Sequence, residues 1–82
     1  MKEFEVPIDD IYVPVKQKND LDPAKVEARA EDILSEGELR MPISVRHDGK
    51  RYVLVKGLHR LEALRELGET SVSCVLVQAR QH

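Results

Sequence analysis

The sequence predicts a small α+β fold, with a mixed sheet carrying two main helices in the order β-α-β-β-α-β. Three observations predict it. Two stretches of aliphatic residues at helical spacing, 21–36 and 58–67, each close at a glycine, Gly37 and Gly68. Between them, Asp48-Gly49 is a hairpin signal joining Pro42-Ile43-Ser44-Val45-Arg46 to Tyr52-Val53-Leu54-Val55. After the second helix, Val72–Val77 is apolar nearly throughout, which suits a strand covered on both faces.

Taken in order, Phe4, Val6 and Ile8 alternate with polar residues and predict a short first strand whose pairing ends near Pro7. Ile11-Tyr12-Val13 is a further apolar cluster ahead of Pro14. Val15–Asp20 has no apolar period and is expected to be an exposed loop. The first helix has a clear start: Asp22 as cap, Pro23 in the first turn, and Leu21 placed to staple onto Val26. Val26, Ala30, Ile33 and Leu34 form its expected apolar face. In the second helix Leu58, Leu61, Leu64 and Leu67 serve that purpose.

The chain has 82 residues, enough for one domain spanning 1–82 and a modest core. Hydrophobic residues make up 41% and charged residues 34%, a globular balance that argues against disorder. No apolar run approaches the roughly 18 residues that span a bilayer, so no membrane partner is expected. No signal peptide is evident at the N-terminus, and the expected compartment is the cytoplasm. Cys74 is the only cysteine, which excludes an internal disulfide and a multi-cysteine zinc site.

The formal net charge of −2 hides an uneven distribution. Residues 1–39 balance to −6, whereas residues 40–60 hold Arg40, Arg46, Lys50, Arg51, Lys56 and Arg60 against Asp48 alone. A basic segment inside an acidic protein points to a local anion site rather than a broad nucleic-acid footprint.

Within that segment, Val53-Leu54-Val55-Lys56 runs through Gly57 directly into the helix that begins Leu58-His59-Arg60. Free backbone N–H groups and the positive end of the helix dipole meet at such a turn. His59 and Arg60 place cationic or ionisable side chains where acids are normally favoured. A bound phosphate would reverse that penalty, accepting from the amides, the Arg60 guanidinium and the His59 ring. The competing reading pairs Arg60 with Glu62 or an acid of the first helix and lets His59 simply pack. Lys25 is a further cation that could reach the same ligand. Asp9-Asp10 offers no obvious third metal ligand, His47 and His82 are expected to be exposed, and Cys74 is expected to be inert core.

Three stretches, Leu21–Val26, Pro42–Val45 and Gly57-Leu58-His59-Arg60-Leu61-Glu62-Ala63, taken in that order resemble the ParB/sulfiredoxin superfamily. The match extends to Gln78. The resemblance implies that family's small α+β fold, with the glycine turn holding nucleotide phosphates, so the implied ligand is ATP or CTP, with Mg²⁺ as a candidate companion. The implied binding residues are Gly57, Leu58, His59, Arg60 and Lys25. Sulfiredoxins carry a catalytic cysteine where this chain has Leu58, and hydroxyl residues near Ala28 and Asp32, so sulfinic acid repair is not expected. Partition proteins have G-x-x-Q-P before the third-strand region. Here Gly37–Pro42 has Arg40 for the glutamine and one extra residue, which argues against carrying over cytidine specificity.

The leading expectation is a ParB-like nucleotide-binding domain within a plasmid or chromosome partition system, or a DNA-associated regulatory one. Hydrolysis, kinase and nuclease chemistry all occur in the superfamily. Asp32, Glu36 and Glu38 are available acids, but no spacing selects one, so catalysis stays open. One alternative is contact of residues 40–60 with DNA phosphates; another is a degenerate module that binds DNA or a DNA-bound partner protein without nucleotide.

Overall fold

A computed structural model describes residues 2–37 and 41–77. Five strands form one mixed sheet in the order β1-β5-β3-β4-β2, comprising β1 (Glu3–Pro7), β2 (Ile11–Tyr12), β3 (Ile43–His47), β4 (Tyr52–Lys56) and β5 (Ser71–Leu76). The helices are α1 (Val15–Lys18), α2 (Pro23–Glu36) and α3 (Leu58–Glu66). The expected order of strands and main helices is therefore present, with β2 and α1 added.

In the sheet, β5 pairs antiparallel with β1 and parallel with β3, while β4 pairs antiparallel with β3 and parallel with β2. The sheet curls. The rings of Phe4 on β1 and Tyr52 on β4 lie 5.6 Å apart although two strands separate them in the sheet order. Flat strands about 4.8 Å apart would leave those backbones roughly 14 Å from each other.

The core lies between the concave face and the helices. Val6, Ile43, Val45, Leu54, Val72 and Cys74 meet Val26 and Ile33 of α2 and Leu58, Leu61, Ala63 and Leu64 of α3. Cys74 is fully buried and its thiol donates to the Val72 carbonyl at 3.6 Å. The convex face of β5 is not apolar as expected: Ser73 is buried and donates to Glu3, and exposed Glu5 accepts from Ser71. The strand is covered on one face and laced to β1 by polar bonds on the other.

Asp22 caps α2 by accepting from the Ala24 amide at 3.0 Å, and Gly37 ends it at φ +68°. Two residues assigned to its apolar face or staple depart from expectation. Leu34 is 69% exposed, because the face that meets the core is set by Val26, Ala30 and Ile33, and position 34 lies about 100° further round. Leu21 is 40% exposed, and the start of α2 is instead tied down by a polar bond from the Asp22 amide to His59.

Val15–Asp20, expected to be a loop, contains α1. Pro14 holds φ −58° and its carbonyl accepts from the Gln17 and Lys18 amides, both at 3.0 Å. The Gln17 side-chain amide then donates to the Leu54 carbonyl at 2.8 Å. β2 pairs only as far as Tyr12 with Val53, so Gln17 serves the next ladder acceptor on β4.

The β3–β4 hairpin uses a four-residue loop rather than a two-residue turn. The Asp48 carboxylate accepts from the Lys50 and Arg51 amides at 3.0 Å each, while its own amide donates to the Arg51 carbonyl. Those two backbone bonds hold the Asp48 carboxyl below its ordinary value.

Candidate functional site

Gly57 ends β4 and starts α3 in a backbone conformation, φ +114°, that L side chains rarely adopt. A Cβ at this position would lie 2.7 Å from Ile43 Cγ2 and 2.9 Å from Ile43 Cβ, on the neighbouring strand. Both conditions demand glycine. The first turn of α3 therefore opens with no side-chain cap and no acidic residue, against the usual pattern for helix starts.

A cleft of about 420 Å³ surrounds this turn, lined by Arg29, Met41, Pro42, Ser44 and Lys56 together with Gly57, Leu58, His59 and Arg60. Arg29 comes from α2, Met41 and Pro42 lead into β3, and Lys56 ends β4. Ser44 pairs with Lys56 next to a register shift between Ser44 and Val45, so an irregularity in the ladder borders the cleft. Arg29, Lys56 and Arg60 give it a positive lining. Among its described residues there is no carboxylate. Arg60 Nη2 also contacts the Met41 sulfur at 3.8 Å.

Four of the five residues expected at the site meet here. Lys25 does not line the cleft; it is exposed on α2, one turn ahead of Arg29. Arg29 is the α2 cation that reaches it, and its i+4 relation to Lys25 is the signal in the sequence that marks it. Met41, Pro42, Ser44 and Lys56 come from segments brought together only by the sheet. His59 does more than pack, because its Nε2 accepts from the Asp22 amide at 3.2 Å. Of the acids that the competing reading offered Arg60, Glu62 or one on the first helix, Glu62 pairs with Arg65 at 3.2 Å.

The candidate acids Asp32 and Glu36 are exposed on α2 and do not line the cleft. Glu38 and Arg40, and likewise His82, lie outside the described residues. Cys74 is deep in the sheet, and burial followed by the nearby Glu5 charge pushes its thiol up to about 11.

A larger cleft of about 870 Å³ lies elsewhere, between the hairpin, β2 and the far end of α3. Two of its cations are already matched. Arg65 bridges Asp9 and Glu62, both at 3.2 Å, and Arg51 pairs with Asp48 at 3.3 Å while lying 3.8 Å over the Tyr12 ring. Tyr12 is thus engaged by Arg51, away from the Gly57 turn. Asp9 is used in an ion pair. Among the described residues no three His, Cys, Asp or Glu side chains gather as a metal site.

Among the described residues, no helix is long and apolar enough to cross a membrane. The structure is similar to sulfiredoxin from Arabidopsis thaliana, with a TM-score of 0.80 and 28% identity over 96% of this chain and 88% of that one. It is also similar to the C-terminally truncated chromosome-partitioning protein ParB from Caulobacter crescentus complexed with CTP-gamma-S, with a TM-score of 0.77, 22% identity, and coverage of 99% and 47%. A free serine kinase in complex with AMP gives 0.76, 20%, 94% and 31%. The chain spans less than half the length of the last two, and at those identities they show the fold alone. No curated protein matches the sequence. The ParB N-terminal domain family matches residues 2–82, nearly the whole sequence, and the chain belongs to that family.

Proposed function

We propose that this chain is a ParB-like nucleotide-binding domain that takes the phosphates of ATP or CTP on the Gly57-Leu58-His59-Arg60 turn, in the cytoplasm, within a partition or DNA-associated regulatory system. One observation carries the reading. α3 opens at an obligatory glycine without cap or acid, into a cleft whose lining includes Arg29, Lys56 and Arg60. A phosphate there accepts from the amides of the first turn and offsets the charge of the arginines. Two similar structures hold CTP-gamma-S and AMP, which supports a nucleotide as the source of the phosphate.

Ser44 is the one side-chain oxygen among the described lining residues, and Mg²⁺ favours oxygen ligands. With three cations and no carboxylate in that lining, any Mg²⁺ in this reading would be carried by the phosphates themselves rather than held by the cleft. Lys25 acts from outside the cleft, as a charge one turn from Arg29.

Calorimetric titration with ATP, CTP, GTP and ADP, with and without Mg²⁺, tests the proposal. Micromolar binding that weakens tenfold or more in Arg60→Ala and in Arg29→Ala supports it, and the preferred base selects between ATP and CTP. No heat from a folded sample with any nucleotide overturns it and favours an interaction module.

A further inference from the structure

The bond between the Asp22 amide and His59 Nε2 joins residues 37 apart in sequence and is half-buried. A ring nitrogen that accepts a hydrogen bond holds a lone pair, so the neutral imidazole carries its proton on Nδ1. Asp22 is engaged through all its polar groups. Its carboxylate accepts from the Ala24 amide and its carbonyl from the Val26 amide, both at 3.0 Å, so the residue is the anchor of α2.

We infer that His59 is a positioning residue. With Nε2 held by Asp22, it presents only an Nδ1–H donor to an anion and couples ligand binding at the Gly57 turn to the start of α2. The identity of the ligand rests on the nucleotide reading above; the joint itself does not. Arg29 stands on α2 and lines the cleft, so a shift at Asp22 is passed to a cation of the site. By linkage, anything that firms the start of α2 tightens the anion, and the anion firms α2 in return.

The test uses the ¹⁵N-labelled full chain. Long-range imidazole correlations read the His59 tautomer, and amide exchange reads Asp22, in wild type, His59→Asn and His59→Gln. Glutamine can place an acceptor near the Nε2 position, whereas asparagine reaches only as far as Nδ1. The Nδ1–H tautomer is expected, with Asp22 exchanging about fivefold more slowly in wild type than in His59→Asn, and protection regained in His59→Gln. Saturating ATP or CTP then slows Asp22 further in wild type and leaves it unchanged in His59→Asn. An Nε2–H tautomer in the wild type, which needs no variant, overturns the inference, as does equal Asp22 exchange in wild type and His59→Asn. Nucleotide shifts at residues 57–60 without change at Asp22 overturn the coupling. No nucleotide effect at any residue overturns the nucleotide reading and leaves the joint standing on the first two measurements.

Discussion

Gly57 and Ile43 are packed so closely that even a methyl group on the glycine has no room: its carbon would sit 2.7 Å from Ile43 Cγ2. Gly57→Ala therefore suffers both backbone strain at positive φ and overpacking against a fully buried side chain. The expected loss is about 2–4 kcal/mol in urea unfolding. Gly49 is the control, with φ +96° but open space around it. Gly49→Ala should lose only the strain, about 1 kcal/mol.

Gln17 supplies a ladder bond that β2 is too short to make. Removing the amide in Gln17→Ala leaves the Leu54 carbonyl without that partner and frees α1 from the sheet. The expected cost is about 1–2 kcal/mol by chemical denaturation. Amide exchange at Lys18 and Asn19, whose amides bond to Pro14 and Val15 within α1, should speed up more than exchange in α2.

Ile33 and Leu34 are adjacent, and their costs should differ sharply. Ile33 is 1% exposed within the core, so Ile33→Ala should cost about 2–5 kcal/mol. Leu34→Ala should stay within about 0.5 kcal/mol of wild type. Equal losses in denaturation midpoints would show that α2 presents a different face to the sheet.

At alkaline pH the buried thiol contributes a loss of stability. The folded form holds Cys74 protonated up to about pH 11, whereas an unfolded thiol ionises near the ordinary value of about 8.5. The contribution is complete below the lower value and declines as pH rises through the window between them. Unfolding midpoints from pH 8 to 11 should fall less steeply in Cys74→Ala than in wild type. Thiol labelling at pH 8 should be slow in the native protein and rapid in denaturant.

β1, β3, β4, β5, the two long helices and the Gly57–Arg60 turn were legible in the sequence because each is coded locally, whereas β2 showed only as an apolar cluster. Asp22-Pro23 starts a helix, Gly37 and Gly68 stop helices, and the four residues of the turn are contiguous. What stayed hidden depends on partners far along the chain. α1 is held by an acceptor 37 residues away, a relation no local period records. Leu34 satisfies a helical apolar pattern as well as Ile33 does, and only the position of the sheet decides between them. Arg29, Met41, Pro42, Ser44 and Lys56 converge on the cleft through the sheet and α2, while Lys25, though on the same helix as Arg29, stops one turn short.

The two edges of the sheet differ in build but share an effect. On one side, β1 carries the carboxylates of Glu3 and Glu5 and ends in Pro7, which has no amide hydrogen to offer. On the other, β2 is two residues long, Pro14 follows closely, and Gln17 already serves the acceptor beyond it. Neither edge is a good template for an incoming strand, so growth of the sheet from chain to chain is disfavoured.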